Sequence, residues 1–193
     1  MIYFKNRAGT KEREMSALLE VNTQETRTLH ARLIAQFPEN PYVKRLVQHA
    51  EAMGITFGLS PVEEQWLYNP QHRTIYVWEP DLYSESLSYI VVILAHELGH
   101  AVDFEINPLH IHLTRDLFWH QVPDEIEIAA FVQGFRLLKQ LWIPVSLAEY
   151  EMMIAPELAS TVRERVERHH LCCLLSPESV GAATVPCDAH AAC

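Results

Sequence analysis

Two histidines and a glutamate within one short stretch of this sequence could bind a metal ion and activate a water molecule. The stretch reads His96-Glu97-Leu98-Gly99-His100. Residues four apart on a helix lie on the same face, so both imidazoles can reach one ion. Glu97 directly follows His96, so its carboxylate can reach a water on that ion and act as a general base. The pattern H-E-x-x-H is typical of zinc-dependent peptide hydrolysis.

The residues that precede this motif predict a buried helix that carries it. Residues 88–95 are almost entirely apolar and run directly into His96. Gly99 and Ala101 keep the neighbouring surface small, so another backbone can approach closely. The alternative is a core helix with two incidental histidines. We disfavour it, because a buried Glu97 with neither a metal nor a partner would be costly.

A third metal ligand is expected downstream, because a catalytic zinc ion typically has three protein ligands and an open position for water. The candidates are Asp124, Glu125 and Glu127, at the start of a second predicted helix. We favour Glu127, because it shares a helix face with Ala130 and Gly134, and small residues suit close packing against the metal helix. Glu125 could instead orient a ligand histidine through a hydrogen bond. Both glutamates could also be first-turn carboxylates that the helix dipole favours.

Composition and charge narrow the class of protein. The chain has 193 residues, 49% of them hydrophobic, which predicts a single domain over residues 1–175 and a disordered tail over residues 176–193. The net charge is -10, with 25 acidic and 15 basic residues. This balance argues against nonspecific binding to nucleic acid or to anionic membranes. The four cysteines all lie near the C-terminus, so no disulfide framework is expected.

The N-terminus and the apolar segments indicate the compartment. The first residues contain no apolar signal core, and charged residues follow closely. The longest apolar run, residues 90–95, is too short to span a bilayer. We therefore expect a cytoplasmic protein.

Hydrophobic periodicity predicts an α+β fold that is mainly helical. Helical spacing of apolar residues predicts helices over residues 23–37, 42–53, 84–104, 123–142 and 147–170. Pro41 and Gly54 mark the ends of the second helix, either Ser84 or Ser86 could cap the third, and Pro156 could kink the last. Three short runs rich in β-branched and aromatic residues predict strands over residues 55–59, 65–68 and 74–78. We expect the last two strands to form a hairpin, and the sheet before the metal helix to be a small antiparallel meander. The apolar face of the 123–142 helix is predicted to extend to Trp142.

The motif with a glutamate downstream resembles the gluzincins, zinc peptidases whose third ligand is a glutamate. Within that group the chain resembles the ImmA/IrrE metallopeptidases, in which an E-x-x-A segment supplies the glutamate. Residues 127–130, Glu-Ile-Ala-Ala, match that segment, and the hairpin at residues 68–77 is also similar. Residues 100–103 and 125–137 resemble the catalytic domain of anthrax lethal factor more loosely. The resemblance covers about residues 40–142 and implies a zincin-like fold.

The resemblance implies that His96, His100 and Glu127 bind Zn²⁺, while Glu97 takes a proton from the attacking water. One position departs from the pattern. Phe131 stands where relatives often have a polar residue that orients a ligand. We expect Asp103 to serve instead.

The same reading implies a zinc-dependent metalloendopeptidase that acts on a protein or peptide, such as one regulatory protein. His110, His112 and His120 are candidates to stabilise the oxyanion, and we favour His120 because it is nearest in sequence to the third-ligand helix. The edge of the strand at residues 74–78 could bind an extended substrate. The first alternative is a noncatalytic metal-binding or sensing protein that retains a zincin scaffold. The second is a toxin-like or secretion-delivered protease.

Overall fold

The computed structural model describes Leu33 and residues 40–60, 62–114 and 121–175, with side chains as far as residue 168. Within these residues the fold is α+β, mostly helical, with one small sheet. The predicted helix over residues 23–37, apart from Leu33, and the predicted tail over residues 176–193 lie outside the described residues. The described elements are, in chain order, α1 (Pro41–Ala52), β1 (Thr56–Leu59), β2 (Leu67–Asn69), β3 (Thr74–Val77), α2 (Asp81–Ser84), α3 (Leu87–Ile106), α4 (Pro108–Thr114), α5 (Asp124–Gln140), α6 (Leu147–Glu151) and α7 (Pro156–Leu175).

Local signals at both ends define α1, as the sequence predicted. Asn40 caps the helix, because its side-chain oxygen accepts a hydrogen bond from the Tyr42 amide at 2.8 Å. Pro41 occupies the first helical position, where its missing N–H costs nothing. Gly54 follows the helix with φ +71°, a conformation that favours glycine. The buried face consists of Val43, Leu46, Val47 and Ala50.

The sheet has the strand order β1-β3-β2. β2 and β3 pair in an antiparallel manner, which confirms the predicted hairpin. β1 pairs with β3 in parallel, so the predicted antiparallel meander is wrong. A meander would place β2 at the centre, but β2 is a short, half-buried strand. All four residues of β3 are buried, so this strand takes the central position.

The position of β3 also overturns one functional prediction. β3 (residues 74–77) is paired on both sides, so it offers no free edge for an extended substrate. The exposed edge on the hairpin side of the sheet belongs to β2 (residues 67–69).

The metal helix is α3, which begins after Ser86 and ends at Ile106. The Ser86 hydroxyl caps the helix by accepting a hydrogen bond from the Tyr89 amide at 3.2 Å. The four β-branched residues at positions 90–93 favour a strand by propensity, but all are buried in this helix. Length and composition alone would let α3 cross a membrane. Most of the helix is buried inside the protein, however, and buried core helices pass the same test.

Two glycines let α3 and α5 approach to backbone contact. A Cβ atom on Gly99 of α3 would lie 2.0 Å from the carbonyl oxygen of Ala130. A Cβ atom on Gly134 of α5 would lie 2.6 Å from the carbonyl oxygen of Ala95. Both helices are therefore packed around these positions, and their side chains project into a shared space beside the contact.

The predicted core position of Trp142 is wrong, because its side chain is 86% exposed. The helix α5 ends at Gln140, and Trp142 adopts φ 55°, which takes it off the buried face of the helix. Arg45 of α1 donates hydrogen bonds to the carbonyl oxygens of Leu141 and Trp142, both at 3.1 Å. This contact gives hydrogen-bond partners to two backbone carbonyl groups that directly follow the end of α5.

The single helix predicted over residues 147–170 is two helices, α6 and α7. Pro156 begins α7 instead of kinking a continuous helix, because proline suits the first turn and disrupts the interior. Ser146 and Glu149 form a reciprocal capping box at the start of α6. Tyr150 of α6 is fully buried, and its hydroxyl donates a hydrogen bond to the carbonyl oxygen of Phe131 at 2.9 Å. α6 thereby fixes the middle of α5.

Candidate metal centre

The structure brings His96 and His100 of α3 together with Glu127 of α5. Nε2 of His96 lies 3.3 Å from Oε2 of Glu127, and Nε2 of His100 lies 3.6 Å from Oε1. One potential ligand atom from each residue lies within 4.8 Å of the other two. The carboxylate therefore lies beside both imidazole nitrogens.

The donor set fits a zinc ion. Two imidazole nitrogens and one carboxylate oxygen are a known ligand set for catalytic zinc. Ligand atoms roughly 2.0–2.1 Å from a tetrahedral ion lie about 3.3–3.4 Å from one another. The distances of 3.3 and 3.6 Å between the carboxylate oxygens and the histidine nitrogens are close to that spacing. One ligand atom from each residue lies within 4.8 Å of the other two, so the three residues could hold one ion.

Burial and charge hold this group together. The side chain of Glu127 is 20% exposed, whereas His96 is 2% exposed, so the site opens on the carboxylate side. Burial alone would raise the pKa of Glu127, but the charge of His100 and hydrogen bonds from both histidines bring that pKa far below its usual range. Burial likewise opposes protonation of His100, yet the Glu127 carboxylate raises its pKa. Without a metal, the Glu127 carboxylate favours the protonated form of His100, and a bound cation would compete with that proton.

Glu97 is almost completely buried beside the two histidines. Burial raises the pKa of Glu97, although the charges of His96 and His100 and a hydrogen bond from the Tyr68 backbone oppose the rise. A carboxylate whose pKa is raised by burial accepts a proton more readily than an ordinary surface glutamate. Tyr68 belongs to β2, so the edge strand of the sheet lies beside this carboxylate.

Neither residue predicted to orient a histidine ligand does so. Glu125 is directed away from the site and forms a bidentate ion pair with Arg165 at 2.6 and 2.7 Å. Asp103 is fully buried, but its carboxylate bonds to Nδ1 of His110 at 2.6 Å and to the side-chain amide of Asn107 at 2.8 Å. The expected role of Asp103 is thus wrong, because the next helix brings His110 within its reach.

The second nitrogen of each histidine ligand is buried without a polar contact. Nδ1 of His96 and Nδ1 of His100 have no hydrogen-bond partner among the described residues. Phe131 stacks on the ring of His96, with ring centroids 3.9 Å apart and an interplanar angle of 27°. The resemblance had placed Phe131 where relatives often have a polar residue that orients a ligand, but it did not predict an aromatic contact with His96. The position of Phe131 one turn after Glu127 was the available signal for this contact.

The structure describes two of the three histidines proposed as oxyanion donors. His110 is held by Asp103, with its side chain 18% exposed. His112 is exposed on α4. His120 lies outside the described residues, so its catalytic role stays a prediction. The sequence named Asp103 and His110 separately, and their spacing of seven residues gave little sign that they would pair.

No family model, curated protein or solved structure matches this chain. What the protein does is therefore inferred from its own residues and their arrangement.

Proposed function

We propose that this chain is a zinc-dependent metalloendopeptidase of the gluzincin type, with a zincin-like fold. One observation carries the proposal: Glu127 arrives from a separate helix and places its carboxylate 3.3 and 3.6 Å from the paired nitrogens of His96 and His100. A fully buried glutamate beside this group adds the general base that hydrolysis requires. Zinc is favoured over harder cations because two of the three donors are imidazoles.

His96, His100 and Glu127 would hold the ion, and the remaining groups would handle protons and substrate. When bound, zinc supplies a Lewis acid that polarises the scissile carbonyl and lowers the pKa of water. Glu97 accepts the proton of the attacking water and delivers it to the leaving amine. Its buried carboxylate lies beside both histidines, which suits it to both proton transfers.

Peptide hydrolysis also needs a hydrogen-bond donor that stabilises the oxyanion as it forms. His120 is the donor predicted from sequence. His110 is the described alternative, because Asp103 fixes its Nδ1 and leaves Nε2 for another partner. We propose a protein or peptide as substrate, such as one regulatory protein, and cytoplasmic location.

A noncatalytic metal-binding or sensing protein is the second candidate. The group formed by His96, His100 and Glu127 supports this candidate as well, because the three residues can hold a metal ion whether or not Glu97 acts as a base. The two candidate functions differ in whether Glu97 acts as a general base.

The test compares metal content and peptide cleavage in purified variants. The double variant His96→Ala, His100→Ala should lose its zinc, measured by elemental analysis against wild type. Glu97→Gln should keep the zinc and lose roughly 10²–10⁴-fold in the cleavage rate of a peptide library followed by mass spectrometry. Glu105→Gln is the matched control, since Glu105 is an exposed glutamate on the same helix. Full activity in Glu97→Gln would contradict the peptidase proposal and favour the noncatalytic one.

A further inference from the structure

We infer that Phe131 is a positioning residue of the metal centre. Its ring stacking orients His96, a role that a hydrogen bond to the second nitrogen has in most zinc sites. This inference rests on the proposed metal site, but it does not require that the site cleave peptides.

The rings of Phe131 and His96 are in close contact inside the protein. Their centroids are 3.9 Å apart, their planes differ by 27°, and both residues are buried. Metal-binding histidines almost always donate the other ring N–H to a carboxylate, a carbonyl or a water, which fixes the ring orientation. Nδ1 of His96 has no such partner among the described residues. The stacked ring therefore restrains rotation of this imidazole, together with the contact of its Nε2 with Glu127.

The position of Phe131 is itself well determined. Its carbonyl oxygen accepts the hydrogen bond from the buried Tyr150 hydroxyl, and the two rings meet edge to face at 6.1 Å. The preceding residue, Ala130, is in backbone contact with Gly99 of the metal helix. Phe131 is therefore fixed from both α3 and α6.

Glu127 and Phe131 lie one turn apart on α5, so they share a helix face. The same face of α5 thus provides the third ligand, Glu127, and the ring that orients the first ligand, His96. His100 has a comparable surrounding, since its ring lies 5.7 Å from Phe104 and 4.6 Å from His96. Both histidines therefore have described ring contacts, with each other and with Phe131 or Phe104, in addition to their contacts with Glu127.

The experiment uses the full chain and Co²⁺ as the probe, because the visible spectrum of Co²⁺ reports both binding and coordination geometry. Phe131→Leu removes the stacked ring and keeps an apolar side chain. We expect the Co²⁺ dissociation constant to rise roughly 10–100-fold, the range found when outer partners of ligands are removed. We also expect the visible bands to shift.

Phe135→Leu is the matched control. Phe135 lies one turn further along α5, is equally buried, and also packs edge to face on Tyr150, at 5.2 Å. It has no described ring contact with His96. Phe135→Leu should leave Co²⁺ affinity within about threefold of wild type, while both variants lower the thermal midpoint of the metal-free protein. Equal losses of Co²⁺ affinity in both variants, or no loss in Phe131→Leu, would overturn the inference.

A second measurement uses the wild-type protein, so it does not depend on whether Phe131→Leu folds. In metal-free wild type, the ring current of Phe131 should shift the imidazole proton resonances of His96 upfield. Resonances of His96 at the position of an unstacked histidine would overturn the inference.

Co²⁺ binding without peptide cleavage would remove the peptidase proposal and leave the inference intact. A wild-type chain that binds no Co²⁺ would overturn both.

Discussion

Replacing Gly99 by alanine should damage both stability and metal binding, because this residue sets the distance between α3 and α5. The added Cβ would lie 2.0 Å from the carbonyl oxygen of Ala130 and 2.8 Å from the amide nitrogen of Gly134. Real Cβ atoms essentially never come within 3.0 Å of such atoms. The backbone of α5 must therefore move by about 1.0 Å, the difference between 3.0 and 2.0 Å.

The expected change in the free energy of unfolding of Gly99→Ala is the difference between two opposing effects. Overpacking of a well-packed contact costs about 1–3 kcal/mol, and a clash between two backbones belongs at the upper end. Alanine recovers about 1 kcal/mol of helix propensity relative to glycine. The net loss is about 2 kcal/mol, which for a chain of this size lowers the thermal midpoint by about 4–8 °C.

The same displacement should weaken metal binding. Ligand distances tolerate deviations of about 0.2 Å, and a shift of about 1 Å in α5 would carry Glu127 beyond that limit. We expect the affinity for Zn²⁺ to fall by more than about tenfold, equivalent to about 1.4 kcal/mol. Competition with a chromophoric chelator measures this change.

Gly134→Ala is the graded control. Its Cβ would lie 2.6 Å from the Ala95 carbonyl oxygen, so a shift of only about 0.4 Å relieves that contact. The helix-propensity gain should then offset most of the cost. Far-UV circular dichroism of the metal-free proteins gives the unfolding midpoints. The proposed backbone contact would be refuted if Gly99→Ala unfolded within about 1 °C of wild type and kept its Zn²⁺ affinity.

Three further predictions concern acidic residues and pH. Glu127→Ala should abolish tight Zn²⁺ binding in a chelator competition, whereas Glu125→Ala should leave it unchanged, since that side chain is paired outside the site; the reverse pattern would exchange their roles. Asp103→Ala should lower the free energy of unfolding in urea by about 1–3 kcal/mol, because it leaves His110 without its buried partner; an unchanged midpoint would show that the pair is unimportant. In the metal-free protein the lowered pKa of Glu127 contributes stability above its usual value of 4.5 that is lost on acidification. The raised pKa of His100 contributes stability below its usual value of 6.5 that is lost as the pH rises through the raised value. Thermal unfolding as a function of pH should show both losses in wild type, whereas Glu127→Ala should lack the first and show a smaller second loss, because Glu97 and Asp103 also raise the pKa of His100.

The elements predicted well are those with signals in adjacent residues. Asn40 and Pro41 define the start of α1, and Ser86 defines the start of α3. The hairpin was predictable because its turn and both strands are contiguous in sequence. The glutamate at position 127 was favoured from the small residues that follow it, and the structure places that carboxylate beside both histidines.

The features that were missed depend on residues far apart in the chain. Parallel pairing of β1 with β3 is decided by which strand the core buries most, and no local pattern reports that. The pairing of Glu125 with Arg165 joins α5 to α7 across 40 residues. Trp142 fits the helical period, but the helix ends two residues earlier and the period no longer applies.

The shortness of β2 has a consequence for what a peptidase of this design would recognise. This edge strand has three residues, and the backbone of Tyr68 already contacts Glu97. Alternate residues of a strand face its open side, so an extended peptide laid along β2 would gain only about one or two main-chain hydrogen bonds. Discrimination would then rest on surfaces remote from the scissile bond. Short synthetic peptides should be cleaved far more slowly than the same segment within its parent protein.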